Sequence, residues 1–215
     1  MKIHITYLTL LMAIGGSHSV FASESEDTPD VIDLTSIEPF PAQIDVSGPL
    51  SELEQNLILS AFKGELADVE TLVNKGVDVN LQDQKKRTPL IFAASAGHTS
   101  VVEYLVGAGA DVSMSDSSGQ PPLLHACKGS FNETATFLLD NGADVNVQSK
   151  KRGVTALMLA AVWDNVELAQ ILLDHGADPQ LTDSFGRTAK LLAEKKGNTA
   201  VIDLLPDPPE SEDGP

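Results

Sequence analysis

The sequence is poor in three features that each indicate a class of protein: cysteine, long apolar runs and basic residues. It has one Cys in 215 residues, which excludes the paired cysteines of a disulfide-built secreted domain. After residue 22 no apolar run approaches the roughly 20 residues that a membrane-spanning helix needs, so we expect no insertion into a membrane. The 14 Lys and Arg stand against 31 Asp and Glu, a net charge of −17, which makes nucleic acid a poor candidate partner.

The sequence also lacks the patterns that carry catalysis or bind metals. It has no Gly-x-Ser-x-Gly elbow, no phosphate-binding loop and no His-Glu-x-x-His pair. His125 and His175 have no companion ligands at metal-binding spacing. The acidic stretch from Asp111 to Asp116 lacks the Gly and the final Glu of a calcium loop. We therefore predict that the protein is not an enzyme and that it holds no metal ion and no cofactor.

Residues 1–22 have the three-part layout of a cleavable secretory signal peptide. Lys2 supplies a positive start, and the mostly apolar segment 5–14 is too short to cross a bilayer. Small residues then precede a cleavage point after Ala22. This layout predicts an exported protein, placed in a bacterial periplasm or, alternatively, secreted; a retained anchor is the other interpretation of the segment.

Two acidic, proline-containing segments flank the middle of the chain. Residues 23–50 contain several acids and show no helical period, and residues 206–215 read PDPPESEDGP. Such segments have too little apolar surface to offset the entropy lost on ordering. We predict a disordered leader and a disordered tail.

Between these segments, one motif recurs. Its clearest copy is Thr-Pro-Leu-Ile-Phe-Ala-Ala at 88–94, followed by Gly97-His98 and by Gly-Ala-Asp-Val at 109–112. The copies begin, at spacings of 33, 33, 34 and 33 residues, at Gln55, Thr88, Pro121, Thr155 and Thr188. The leading Thr suits a helix cap, and the glycine suits the left-handed residue that ends a helix. Each copy therefore predicts two short helices joined by a turn.

The period and the Thr-Pro-Leu-x-x-Ala motif resemble those of the ankyrin repeat. The resemblance implies an all-α solenoid of about five stacked helix–turn–helix units, with connecting β-turn or hairpin loops, over residues 51–205. The units are expected at about 51–82, 83–115, 116–148, 149–182 and 183–205. Because no unit can bury its apolar face alone, stacking supplies the core and the end units act as caps.

The resemblance also implies a protein-binding scaffold that contacts its partner through the turns and the ends of the first helices. The positions that this implies are Phe62, Lys63, Lys85, Arg87, Lys128, Lys151, Arg152, Val162, Trp163, Phe185, Arg187, Lys195 and Lys196. Eleven of the 13 Lys and Arg after residue 22 fall on these turns and helix ends. We predict a basic binding face for an acidic protein surface. The alternative for the lysines is a face that only keeps the array in solution.

Three further residue types have competing interpretations. Trp163 is either an anchor for the partner or partly a core residue. Cys127 stands where the neighbouring copies have Ala, which indicates a small core residue rather than a reactive thiol. Phe92 and its equivalents are expected to pack between helices rather than to meet a ligand.

For the role of the binding, the architecture favours an accessory or protective partner of an exported enzyme, which is an argument by analogy. One alternative is an immunity protein that neutralises a toxin or a phospholipase effector. Another is a secreted effector that binds a host protein. We expect the protein to be a monomer on its own.

Overall fold

The computed structural model describes residues 50–206. The predicted signal peptide, almost all of the predicted leader and residues 207–215 of the predicted tail lie outside the described residues. The described part contains ten α-helices and no strand: α1 Glu52–Lys63, α2 Leu66–Asn74, α3 Pro89–Ala96, α4 Thr99–Gly107, α5 Pro122–Lys128, α6 Asn132–Asp140, α7 Ala156–Val162, α8 Val166–Asp174, α9 Ala189–Lys196 and α10 Thr199–Ile202.

The helices form five consecutive pairs that stack in chain order. Each first helix (α1, α3, α5, α7, α9) contacts the next first helix, and each second helix contacts the next second helix. The result is a two-layered, all-α solenoid, as the sequence predicted. Within residues 50–206, no helix combines the length and the apolar character that crossing a membrane requires.

Local signals explain where the first helices begin and end. The side-chain oxygens of Thr88, Thr155 and Thr188 each accept a hydrogen bond from the backbone N–H three residues later, so each caps its helix. Helix α3 ends at Gly97, whose φ of 71° lies in the left-handed region that a residue with a Cβ adopts at a cost. The expected caps are confirmed.

The first helix of the array departs from the motif. Helix α1 begins at Glu52, three residues before the motif position Gln55, and is 12 residues long. Ser51 and Glu54 cap it reciprocally, each side chain accepting the other's backbone N–H at 3.4 and 2.6 Å. This is a capping box, and the Ser-x-x-Glu spacing replaces the absent Thr.

Two first helices end without glycine at the left-handed position. Ser130 has a φ of 57° and Asp164 a φ of 52° where the other repeats place Gly97 and its equivalents. A left-handed residue with a Cβ costs about 1–2 kcal/mol, less for Asp than for most types. The array therefore carries local strain at the end of α5 and of α7.

Substituting Asp164→Gly is expected to raise the free energy of unfolding by about 1 kcal/mol, because glycine removes the Cβ conflict. Urea denaturation would measure it. Glu103→Gly, in the exposed interior of α4, is the control and is expected to lower the same quantity by about 1 kcal/mol. A loss of stability in both variants would contradict the strain at Asp164.

The core lies between the two helix layers and between neighbouring repeats. Phe92, Leu159 and Leu192 are buried at one shared motif position, which confirms their predicted packing role, whereas Leu59 at that position of the first repeat is only half-buried. Cys127 is also buried, and burial raises the pKa of its thiol to about 12. The thiol therefore stays protonated and acts as a small core residue.

Polar side chains connect successive repeats. The Asn80 side chain donates to Gly109 O and accepts from Asp111 N, and Asn146 makes the same two bonds with Gly176 and Asp178. His98 Nε2 lies 2.9 Å from Phe62 O in the preceding repeat. These bonds fix the rotation between repeats while the apolar contacts supply most of the stability.

The last repeat changes its buried positions. Lys190 stands where the four earlier repeats bury a leucine, and its ammonium donates to Leu205 O at 3.2 Å. Leu191 is 37% exposed, whereas Ile91 and Met158 at the same motif position are almost completely buried.

Candidate protein-binding face

Four turns lead into the first helices of the second to fifth repeats. We call them the first turn (residues 83–87), the second (116–120), the third (149–154) and the fourth (183–187), and together the turn ridge. One backbone hydrogen bond joins each turn to the next: Ser117 N to Lys85 O at 2.8 Å, Lys150 N to Ser118 O at 3.0 Å and Ser184 N to Arg152 O at 2.8 Å. The turns therefore form one continuous line.

An aspartate–arginine pair holds the first turn together. Asp83 Oδ1 accepts from the backbone N–H groups of Lys85 and Arg87 at 2.9 and 2.8 Å. Asp83 Oδ2 accepts from Nε and Nη2 of Arg87 at 2.8 and 2.6 Å. One carboxylate therefore satisfies the turn backbone and the guanidinium together.

The fourth turn repeats this arrangement with Asp183 and Arg187. Burial alone would raise the pKa of Asp183. Hydrogen bonds from the Arg187 side chain and from backbone N–H groups, together with the guanidinium charge, hold this pKa below its ordinary value.

Both arginines are corrections to the predicted binding face. Arg87 and Arg187 are only 6% and 5% exposed, because each guanidinium is turned inward onto its aspartate. A turn-tip Arg suggests a surface group, yet these two stabilise the turn itself. Val162 is also buried, so its placement at the surface was wrong as well.

The second turn replaces arginine with a histidine from the following helix. Gln120 occupies the Arg position, and His125 Nε2 of α5 lies 3.1 Å from Asp116 Oδ2. Burial lowers the pKa of His125, and the charges of Lys128 and Arg87 lower it further, against the opposing effect of Asp116. Neutral His125 therefore donates to the carboxylate.

This histidine predicts a pH dependence of stability. A histidine whose pKa folding lowers takes up a proton less readily in the folded chain than in the unfolded one. Stability is therefore full above the unfolded value of 6.5 and falls as the pH drops below it. His125→Gln keeps a donor for Asp116 but does not titrate, so we expect its free energy of unfolding to fall less steeply between neutral pH and the acid side of that value.

Urea denaturation at a series of pH values measures this slope, which one proton limits to about 1.4 kcal/mol per pH unit. The pKa of His98 is also lowered by burial, so His98→Gln is the matched variant and is expected to remove a second part of the slope. A His125→Gln slope equal to that of the wild type would refute the assignment.

The third turn lacks the aspartate and carries one extra residue. Ser149 replaces the aspartate, and its hydroxyl accepts from Val154 N at 3.1 Å. Lys150 crosses the second turn at Gly119, where any side chain would collide with the lysine stem. A basic side chain therefore lies over the second turn, which has no Lys or Arg of its own.

Lys86 occupies a strained position at the tip of the first turn. Its φ is 60°, and the three other turns place Gly119, Gly153 and Gly186 there, also with positive φ. Lys85, Lys86, Lys150 and Lys151 are all exposed, and Arg152 is half-buried. The ridge thus presents lysines on the first and third turns, one of them at a backbone cost.

The ends of the first helices complete the face. Trp163 follows α7 and is 41% exposed, and Phe185 on the fourth turn is 54% exposed, its ring centroid 4.7 Å from the Arg187 guanidinium carbon. The other predicted positions at these ends are half-buried or exposed: Phe62, Lys63, Lys128, Lys195 and Lys196. Lys63 lies 3.6 Å from Glu65, and Lys128 donates to Gln120.

The second helices differ in charge. None of α2, α4, α6, α8 and α10 contains Lys or Arg. Their exposed acids include Asp68, Glu103, Glu133, Asp140 and Glu167. Among the described residues, the Lys and Arg side chains therefore lie on the turns, on the first helices and at Lys75, which follows α2. Among residues 50–206, no three His, Cys, Asp or Glu side chains come together in a way that holds a metal ion.

A family model described as ankyrin repeats (3 copies) matches residues 57–149 and 143–211, most of the chain. Together with the stacked helix pairs, this match decides the family. The chain belongs to the ankyrin-repeat family. Ankyrin repeats imply protein–protein interaction, and the family is typically non-catalytic.

Curated proteins are similar to shorter stretches of the chain. One is the ankyrin repeat and LEM domain-containing protein 1 homolog of Caenorhabditis elegans, 53% identical over 47 residues, which is 22% of this chain. Potassium channel AKT1 of rice, from the indica and japonica subspecies, is 39% identical over 54 residues, which is 25% of this chain. The matches span only 6% of each relative's length, so the likeness covers a small part of each relative.

The aspartates that build the ankyrin turns were missed in the sequence. Their signal is an Asp four residues before an Arg, present at Asp83 and again at Asp183. A spacing of four residues in a turn places the carboxylate against both the later N–H and the later side chain. The recurrence of the pair at one motif position would have revealed it.

Proposed function

We propose that this protein is a non-catalytic scaffold that binds an acidic surface of another protein through the turn ridge and the ends of the first helices. The observation that carries the proposal is the distribution of charge. A chain with a net charge of −17 keeps four exposed lysines on two of the four turns of the ridge, the first and the third, and no Lys or Arg on its second helices.

Such a face is expected to act mainly on the rate at which the two proteins associate. Basic side chains on a ridge attract an acidic surface before contact, which raises the association rate and makes it sensitive to salt. Affinity comes from groups that are buried on binding. Trp163 and Phe185 are exposed aromatics at the ridge and helix ends, and aromatic side chains dominate interface energies.

We further propose that the partner is an exported enzyme and that the binding protects or assists it. The proposal combines the signal-like residues 1–22 with the scaffold architecture. It predicts that the partner's activity is unchanged or increased in the complex. Loss of activity in a tight one-to-one complex would instead support an immunity protein.

The test is capture of the partner from the exported fraction by the tagged protein, followed by association kinetics at low and high salt. The variant replaces Lys85, Lys86, Lys150 and Lys151 with Ser; Lys75→Ser, an exposed lysine after α2, is the control. We expect slower association and a flatter salt dependence in the quadruple variant only. An association rate unchanged by the four substitutions would defeat the proposal.

Trp163→Ala separates an anchor from a core residue. If Trp163 contacts the partner, the substitution is expected to lower the binding free energy by about 2 kcal/mol with little change in the free energy of unfolding. Calorimetric titration and urea denaturation of the same preparation measure the two quantities. A loss confined to stability would assign Trp163 to the core.

A further inference from the structure

The side chains along the turn ridge change in a defined order. The first turn presents Lys85 and Lys86, and the second presents Ser117 and Ser118 with the Lys150 stem crossing it. The third presents Lys151 beside Lys150, and the fourth presents Phe185. The ridge therefore carries lysines on the first and third turns, with the Lys150 stem across the second, and an aromatic ring on the fourth.

The geometry of the stack sets the scale of this order. Neighbouring helices pack about 8–10 Å apart, so the first and third turns are about 20 Å apart and the fourth lies about 10 Å further on. An extended chain rises about 3.3 Å per residue, so these spans correspond to about six residues and about three more.

Several backbone N–H groups of the ridge already have hydrogen-bond partners. The N–H groups of Ser117, Lys150 and Ser184 bond the neighbouring turn, and those of Lys85 and Phe185 bond the turn aspartates. A strand added to the ridge by backbone pairing would find these donors occupied. An occupant is therefore held by side chains, chiefly ammonium groups and one aromatic ring.

We propose that the turn ridge binds an extended acidic segment of the partner protein: about six residues rich in Asp and Glu laid along the first three turns, with a large apolar residue about three positions beyond them against Phe185. This rests on the proposed protein-binding function and specifies the chemistry of what is bound. Charge complementarity selects the acidic run, and the position of Phe185 sets its register.

Two features of the ridge support a binding role rather than a structural one. The backbone of Lys86 is left-handed at a position where the other turns use glycine, so the turn itself does not require a lysine there. Phe185 is held over Arg187, which Asp183 fixes from beneath. An exposed ring on a fixed support loses little freedom when a partner residue covers it.

The test uses labelled synthetic peptides and fluorescence anisotropy with the full protein. One peptide has six acidic residues, a two-residue Gly-Ser spacer and a terminal Trp; a second has the reverse order, because either chain direction fits the ridge. The controls are a peptide with Trp in the middle of the acidic run, a peptide with Ser in place of Trp, and a single-stranded DNA of similar charge.

We expect one of the two ordered peptides to bind at least about tenfold more tightly than the mid-Trp peptide, since only it places acids and ring together. Phe185→Ala should remove that advantage and leave the Ser peptide unaffected. Equal binding of ordered and mid-Trp peptides, or equally tight binding of the DNA, would overturn the proposal and leave a nonspecific basic surface.

Lys86→Gly distinguishes a loss of binding from misfolding, because it introduces the glycine that the other turns already have at this position. We expect it to weaken the ordered peptide several-fold with unchanged or increased stability. If the captured partner depends on the ridge lysines while neither ordered peptide binds, the extended-segment proposal is wrong and the proposed scaffold function stands.

Discussion

Asp83→Ala is expected to lower the free energy of unfolding by about 3–5 kcal/mol, because it leaves a buried guanidinium without its counter-ion. The carboxylate accepts from two backbone N–H groups and from the Arg87 side chain. Its loss therefore removes the bonds that close the first turn as well as the ion pair. Urea denaturation followed by far-ultraviolet circular dichroism measures the change.

The matched control is Asp68→Ala, an exposed aspartate on α2, which is expected to stay within about 0.5 kcal/mol of the wild type. Combining Asp83→Ala with Arg87→Met is expected to recover part of the loss, since no buried charge then lacks a partner. If Asp83→Ala behaved like Asp68→Ala, the ion pair would not stabilise the turn.

Phe92→Ala is expected to cost a similar amount, about 3–5 kcal/mol, because it opens a cavity in a fully buried site. The Phe92 ring meets the Phe62 ring edge-on at 6.4 Å, and the Arg87 guanidinium lies 4.5 Å from its centroid. The substitution thus loosens the contact between the first two repeats and the base of the first turn.

Phe185→Ala is the control for Phe92→Ala, since Phe185 is an exposed phenylalanine in the same repeat array. We expect it to change stability by less than about 0.5 kcal/mol. Thermal and urea denaturation of both variants measure the two changes in the free energy of unfolding. A Phe92→Ala loss below about 1 kcal/mol would mean that the repeats repack around the missing ring.

The fold was predictable because local helix signals recur in most of the repeats. Thr88 caps a helix, Gly97 ends it, and the same signals return at a fixed period. Stacking then follows, since no pair of helices can bury its apolar face alone. The departure at α1 came from a capping box at Ser51 and Glu54, a signal present in the sequence but outside the repeated motif.

The candidate face was predictable only in part. The lysines at the tips of the turns were placed correctly at the surface, because an ammonium group without a buried partner is more stable in water than in the interior. Arg87 and Arg187 failed that expectation, since an aspartate four residues earlier offers each a better site than water does. His125 could not be read as the partner of Asp116 either, because the helix that brings it back to the turn belongs to the fold, not to a local motif.

Lys190, on the first helix of the fifth repeat, has a consequence for assembly. An open-ended stack has two different end surfaces, and a head-to-tail contact between copies would extend it without closing. Lys190 places an ammonium where the earlier repeats have leucine, and it donates to the Leu205 carbonyl. A second molecule that packed over Lys190 would have to take its charge out of water, so we propose that this end resists the head-to-tail addition of further copies.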